Sequence, residues 1–392
     1  MIEEQQRSRA DLGRANRRNV LAEILYHAPI ARTEIANNTG LTGASVSRIT
    51  RDLINSGLVV ESSTSLPQNR SGRRFVQLQL NAHGAYVVGL SINAFSQWVS
   101  ICGLDNKIIA QEQLNLESVD DPYDVLEQTI SKTLQLLDEH EIDHNKIIGG
   151  AVAIGGAVEP NSGKLLFSTT MDWGEMEIAS IISERLSFPI CVETIPNALN
   201  LAETRFGIAK GHKNVVMINA SLRMGASLLI DNQIRRGVKN SAGLIGQLKL
   251  QNANPTGTEQ MHLNDIAGGI AVLKKIGETS YTSGKHAAAA LLELKHRCIK
   301  GEAQASAAFR KAGQMLSQTI EVIDILIQPD VILLAGPMSS VPAYIEGALE
   351  SFDKDDKSRI LLSTINPAQA AIYLAFNEFL ASRDIDLKTF DA

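Results

Sequence analysis

Cysteine is scarce in this chain: three in 392 residues, Cys102, Cys191 and Cys298, far apart and with no CxxC pair. That excludes a disulfide framework and a cysteine-built metal knuckle. A reducing, cytoplasmic compartment is expected, with the thiols buried as small apolar residues. Long apolar runs are missing too. None approaches the roughly 20 residues of a membrane helix, and the N-terminus is polar and charged, unlike a secretion signal. No membrane is expected among the partners. Lysine is absent from the first 82 residues, which hold 11 Arg and 7 Asp plus Glu, a net of +4. The whole chain carries −6, so the rest carries −10. A basic head on an acidic body suits a DNA-binding module and discourages the body from binding DNA itself. With 44% apolar and 5% aromatic residues the composition is that of a globular protein. The length beyond the head suggests about two further domains.

What is present begins at Thr33. Residues 33–56 read as a helix-turn-helix carried by Ile35, Ala36, Thr39, Gly40, Leu41, Val46, Ile49 and Leu53. Thr33 is expected to cap a short helix running through Asn38. Gly40 takes the left-handed turn that only glycine adopts without strain. Thr42 caps the next helix, on which Val46, Ile49 and Leu53 form one buried stripe. The opposite face carries Ser45, Ser47, Arg48 and Arg51, side chains suited to phosphates and base edges. Small, glycine and apolar residues stand where the bacterial helix-turn-helix pattern needs them. Two plainly packed helices are the bland alternative, but the neighbours argue against it. Val20, Leu21, Ile24 and Leu25 supply a backing helix, and Gly57 ends the second helix. Leu58-Val59-Val60 starts a strand, and Phe75–Leu80 alternates with strand period. The polar turn between them bears Arg70, Arg73 and Arg74, as the wing of a winged helix does. Arg7, Arg9, Arg14, Arg17 and Arg18 serve either as a solvated arm or as further phosphate contacts.

From Tyr86 the pattern changes to a duplicated α/β unit. Val87–Ile92, Trp98–Leu104 and Lys107–Leu114 read as strands, with Asp105-Asn106 a tight turn. Asp121 caps a helix with Pro122 at its first position, running to about Glu139. A strand follows at Ile147–Ile154, a helix at Ile178–Leu186, a strand at Ile190–Glu193 and a helix at Pro196–Phe206. The pattern restarts with strands at Val215–Asn219, Gly225–Ile230 and Gln233–Arg236, and Asp231-Asn232 repeats the turn. A long helical stretch from about Leu263 to Ile327 precedes a strand at Pro329–Leu334. Two similar lobes of this kind hold ligands in the cleft between them.

Several motifs carry a resemblance. They include the Asn16–Leu25 helix, the wing ending Gly72-Arg73-Arg74, and Ala153-Ile154-Gly155-Gly156-Ala157-Val158. Val192-Glu193 is followed by Asn197-Ala198, Glu203 and Phe206-Gly207. Leu229-Ile230-Asp231, Arg236-Gly237, Ala242-Gly243 and Ile245-Gly246 form another run, and Pro329-Asp330-Val331-Ile332 with Gly336 completes the set. Over nearly its whole length the chain resembles the repressor branch of the ROK family, named for repressor, open reading frame and kinase. The resemblance implies an α/β fold. An N-terminal winged helix-turn-helix precedes a duplicated actin-like, hexokinase-like (ribonuclease H-like) two-lobe body. The expected divisions are a DNA-binding domain at 1–82, a first lobe at 83–198 completed by a C-terminal helix at 369–392, and a second lobe at 199–368 with oligomerisation helices.

The departures from the family's kinases are as informative. Where they place an acidic residue and glycines in the first phosphate turn, this chain reads Ser91-Ile92-Asn93-Ala94-Phe95. A Phe there is hostile to ATP. The second turn reads Ala220-Ser221-Leu222-Arg223-Met224-Gly225. The family's Asn-Asp pair, whose Asp is the base, falls on Thr194-Ile195, and isoleucine cannot take a proton. Gly-Glu-x-Gly-His falls on Gly243-Leu244-Ile245-Gly246-Gln247, which removes a sugar-contacting carboxylate and the zinc-binding His. Leu248–Asp265 lacks the cysteines of that zinc site. No catalytic residue, metal or cofactor is expected. Gly155, Gly156, Asp172, Trp173 and Asn197 match places near the sugar in family members. Each also has a plain structural reading: a strand-end turn for the glycines, core for Trp173, a helix cap for Asn197.

These readings converge on a homodimeric or homotetrameric regulator, most simply a repressor of carbohydrate uptake or catabolism genes. Its partners are double-stranded DNA with an inverted-repeat operator and a sugar or sugar-derived effector. The competing readings are a sugar kinase with a DNA-binding head, and a ligand-blind regulator governed by a protein partner.

Overall fold

The computed structural model describes residues 2–62, 76–254, 257–385 and 387, with side chains placed for 11–62, 76–251, 260–385 and 387. The chain opens with a helix at Ile2–His27, then Arg32–Thr39, the turn, and Gly43–Asn55. Strands Ile30–Ala31, Gln77–Leu80 and Val59–Ser62 form a small sheet in that order. This is a winged helix. Its core joins Val20, Leu21 and Ile24 to Ile35, Val46, Ile49, Leu53 and Leu78. Gly40 ends the first helix of the pair at φ 69°, as its position requires. Thr33 lies inside that helix rather than at its start. Ala31 is the capping position, and its N–H donates to the Glu34 carboxylate at 3.0 Å. Thr33 is displaced because the two-residue strand Ile30–Ala31, paired with Gln77–Leu80, leads directly into the helix. The wing residues Arg70, Arg73 and Arg74 lie outside the described residues.

The body contains two five-stranded sheets of one topology. The first runs Ile190–Thr194, Ile147–Ile154, Tyr86–Ile92, Gln97–Gly103, Ile108–Leu114. The second runs Ile360–Leu362, Val331–Ala335, Val215–Ala220, Met224–Ile230, Gln233–Ile234. In each, an antiparallel three-strand meander pairs through its first strand with a parallel strand, and that strand with a further parallel one. The duplication seen in the sequence is therefore one of sheet order as well. The buried parallel strand Ile147–Ile154 and the helix Pro122–Glu139, capped by Asp121, match the expected spans.

The long helical stretch expected from about Leu263 to Ile327 is made of four helices: Leu263–Ala267, Gly269–Lys275, Gly284–Ile299 and Ala303–Ile327. Gly268, in extended backbone, separates the first two. Hairpins at Ala157–Glu159 with Lys164–Phe167 and at Lys249–Asn254 with Gly257–His262 have too little alternation to be read from sequence. The C-terminal helix is Pro367–Phe376, continued by a π-helical turn at Asn377–Ser382.

The layer between the sheets positions everything that follows. It consists of two helices, Ile195–Arg205 and Pro367–Phe376. Ala198, Leu199, Ala202, Ala371, Ala375 and Phe376 pack there against Val87 and Ala151 of one sheet and Met217, Leu229 and Leu333 of the other. Small residues let the layers approach closely. A side chain at Gly89 would meet Ile372 at 2.8 Å.

Candidate functional site: a reading helix and an interlobe cleft

The reading helix Gly43–Asn55 starts at Thr42. The Thr42 hydroxyl accepts from the Ser45 N–H at 3.2 Å and donates to Ser45 Oγ at 3.0 Å. These two residues fix the helix start. Val46, Ile49 and Leu53 face inward, with Val46 and Leu53 fully buried. Ser47, Arg48 and Arg51 are exposed on the outer face. Among the described residues neither Arg48 nor Arg51 has an ion-pair partner. Arg32 differs: it donates to Thr50 at 2.9 Å and Glu61 at 2.8 Å, and so braces the fold. Arg48 shares a groove with Arg14 and Arg17 of the first helix and with Asp384 from the chain's end. Two exposed, unpaired guanidiniums on one helix face are what phosphate and base-edge contact requires.

The first helix also ties the head to the body. Arg17 binds Asp384 through two bonds of 2.9 and 2.7 Å. Tyr26 donates to Asn377 at 3.1 Å, and Lys210 donates to the Tyr26 carbonyl at 2.6 Å. The Tyr26 ring packs edge-on against Phe206 at 5.4 Å, and Phe206 stacks on Tyr373 at 4.3 Å. Burial pushes the Tyr26 hydroxyl up to about 12, against the opposing pull of Arg205, so it stays a donor near neutrality.

Between the lobes lies a cleft of about 480 Å³. Gly155, Gly156 and Asn197 line it. Asp172 and Trp173 do not. Asp172 is exposed at φ 61°, and Trp173 is buried with its indole N–H donating to the Val119 carbonyl at 2.6 Å. Trp173 is thus core, because its one donor is satisfied away from the cleft. The Gly155 and Gly156 amides are engaged at the strand end, with Ile92 and Ile154 carbonyls at 2.9 and 3.1 Å. The cap of the helix behind them is Thr194. Asn197 instead donates through Nδ2 to Glu193 at 2.9 Å.

Glu193, part of the Val192-Glu193 motif but not among the expected site residues, is a cleft residue. Only 3% exposed, it also accepts from the Thr194 N–H at 2.8 Å and pairs with Arg236 of the second lobe. That ion pair crosses between the lobes. The only signal for it was an acid ending an otherwise apolar strand. Glu203, fully buried, accepts from Ser363 Oγ, the Thr364 N–H and the Ile365 N–H at 2.7, 2.7 and 3.0 Å, and from the Ile208 N–H at 2.9 Å. It holds the turn at Ser363–Ile365, which lines the cleft.

The turns do not fit a nucleotide. In the first, Asn93 Oδ1 accepts from the Phe95 and Ser96 amides at 2.9 and 3.2 Å, the donors a phosphate would need. In the second, the Met224 amide donates to Asn264 Oδ1 at 2.8 Å. Ile195, which the family resemblance sets against the base, is 5% exposed in the cleft wall. Nor do the residues fit zinc. Gln247 replaces the ligand His, and among the described residues no three His, Cys, Asp or Glu gather closely enough for a metal ion. Among the described residues no helix is long and apolar enough to cross a membrane.

A winged-helix head joined to a two-lobe actin-like body defines the class. The comparisons agree. The ROK family pattern matches residues 89–360, and a winged helix-turn-helix DNA-binding pattern matches 14–60. The chain belongs to the ROK family. It is similar to the xylose repressor of Bacillus spizizenii, 27% identical over 242 residues, 62% of each chain. It is also similar to the Escherichia coli K12 transcriptional dual regulator NagC, 24% identical over 337 residues, 83% of this chain and 81% of that one. The match thus spans about 62% of the length of the xylose repressor. Among solved structures, a ROK family transcriptional regulator described as a homologue of Escherichia coli MLC superposes over 97% of this chain and all of that one. Its TM-score is 0.73 at 19% identity. A Streptomyces griseus ROK glucokinase covers 74% of this chain and 98% of its own, with a TM-score of 0.59 at 17% identity.

Proposed function

We propose that this protein is a DNA-binding transcriptional regulator, a repressor of carbohydrate uptake or catabolism genes, switched by a small sugar-like effector in the interlobe cleft. The carrying observation is the route between the two sites. The helices Ile195–Arg205 and Pro367–Phe376 both begin at the cleft, where Ile195, Asn197, Asn366 and Pro367 line it. Both lead to the head's first helix. One reaches it through Arg205 and Phe206 at Tyr26, the other through Asn377 at Tyr26, Ser382 at Arg18 and Asp384 at Arg17. Each is a rigid rod of roughly 15 Å. An effector that binds the two lobe closures unequally moves these rods and so resets the heads.

The working units are 1–82 as the head, 83–198 with 369–392 as the first lobe, and 199–368 as the second. In a cytoplasmic homodimer or homotetramer, paired reading helices enter successive major grooves about 34 Å apart on an inverted repeat. Val322, Ile325 and Leu326, exposed along the end of helix Ala303–Ile327, suit contact with a second copy.

The test is operator binding with and without compounds that raise the melting temperature, screened over xylose, glucose, N-acetylglucosamine and their derivatives. Tyr26→Ala is expected to keep ligand stabilisation but lose the effector's influence on operator affinity, a coupling of about 5–150-fold in such systems. An undiminished response in Tyr26→Ala sinks the two-rod route. If no compound shifts the melting temperature, a protein-controlled regulator is favoured.

The glucokinase likeness supports a second reading, a sugar kinase with a DNA-binding head. With Asn93 occupying the amides of the first turn and Ile195 at the base position, ATP turnover with a panel of hexoses and amino sugars is expected at background. A robust rate abolished by a cleft substitution reverses this reading.

A further inference from the structure

We infer that the cleft selects a ligand bearing an anionic oxygen group, a phosphomonoester or a carboxylate, and that Arg223 receives it. This rests on the reading of the cleft as the effector site. Three charged residues line the cleft: Glu193, Arg236 and Arg223. The first two neutralise each other across it. Arg223 has no ion-pair or hydrogen-bond partner among the described residues, and its Nε–H is fully buried without an acceptor. A buried donor left unsatisfied is costly, and more so when it is charged. Such a group in a cleft wall is explained where a ligand supplies the missing acceptor.

Beside Arg223, the Met224 amide is taken by Asn264 Oδ1 at 2.8 Å. Across the cleft, the Phe95 and Ser96 amides are taken by Asn93. The Ser339 and Ser340 hydroxyls donate to the Gly336 and Pro337 carbonyls at 2.7 and 2.8 Å. With these amides and hydroxyls engaged, the Arg223 guanidinium is the charged donor of the cleft wall that has no partner among the described residues. Phe95, Ile195 and Leu244 make the wall around the cleft largely apolar, which strengthens a charge-assisted pair relative to water. A neutral sugar leaves that charge unanswered.

The experiment uses the full chain and matched pairs: glucose against glucose 6-phosphate, glucose against glucuronate, xylose against xylonate, with inorganic phosphate as a bare probe. Melting temperature and titration calorimetry are read for wild type, Arg223→Gln and Arg223→Lys. At least one anionic member is expected to bind wild type tenfold or more tightly than its neutral partner. Arg223→Gln is expected to lose that margin and Arg223→Lys to keep part of it. The ligand-free melting temperature of Arg223→Gln should not fall, since an unsatisfied donor is removed. The phosphate and carboxylate arms separate the two sources of the anion. Neutral and charged partners binding alike, with Arg223→Gln unchanged, overturns the anion assignment while leaving the cleft as effector site. Binding by no compound overturns both.

Discussion

A variant carrying Arg48→Ala and Arg51→Ala is expected to bind operator DNA about 100-fold more weakly than the unaltered chain, at roughly 1–3 kcal/mol for each guanidinium lost. The two side chains stand exposed on the outer face of Gly43–Asn55, unpaired among the described residues, while the inner face holds Val46, Ile49 and Leu53. Neither replacement disturbs packing, so melting temperature should hold while affinity falls. The single variants separate the roles. Arg48→Ala is expected to relax discrimination between operator and mutated operator. Arg51→Ala is expected to weaken all sequences similarly and to lower the salt slope by about 1, as loss of one phosphate contact does. The measurement is a fluorescence titration at several salt concentrations. Affinity and slope unchanged in the double variant refute the assignment of this face to DNA.

Replacing Glu203 by Ala destabilises the folded chain by roughly 2–4 kcal/mol, a consequence of stranding several donors at once. The carboxylate is fully buried, and a hydroxyl and three backbone amides converge on it from Ser363–Ile365 and Ile208. Among the described residues no cation pairs with it, so these N–H and O–H donors hold the carboxylate. Glu203→Gln keeps one acceptor oxygen but turns an NH2 toward amide donors, so it should recover only part of the loss. Because the turn it anchors lines the cleft, both variants should also weaken whatever effector binds there. Denaturant unfolding monitors the first effect and calorimetry the second. Stability of Glu203→Ala within about 0.5 kcal/mol of wild type, the range of an ordinary surface change, contradicts this account.

The helix-turn-helix was legible because its requirements are local. Gly40 must take a positive φ, Thr42 must cap, and the stripe of Val46, Ile49 and Leu53 needs only helical period. The strand Ile147–Ile154 was legible for a similar reason, since a parallel strand buried on both faces is a continuous apolar run. Where a neighbour distant in sequence competes, local reading fails. Thr33 lost its capping place to a strand pairing with residues more than 40 positions away. Trp173 matched a sugar-side position, yet its indole found the carbonyl of Val119 instead. Asp172 followed its neighbour out of the cleft wall.

The amino-acid sequence alone determined the head and the duplicated lobes, because each is a matter of which residue type occupies a position in a short pattern. Only the tertiary structure decided that Glu193 meets Arg236 across the cleft and that Arg223 is left without a partner among the described residues. It also decided that two helices far apart in the chain lie side by side from cleft to head. The ion pair and the paired helices are outcomes of packing between segments 43 or more residues apart. No pattern of neighbours encodes them, since hydrogen bonds and ion pairs form between whatever groups the folded core brings within about 3 Å.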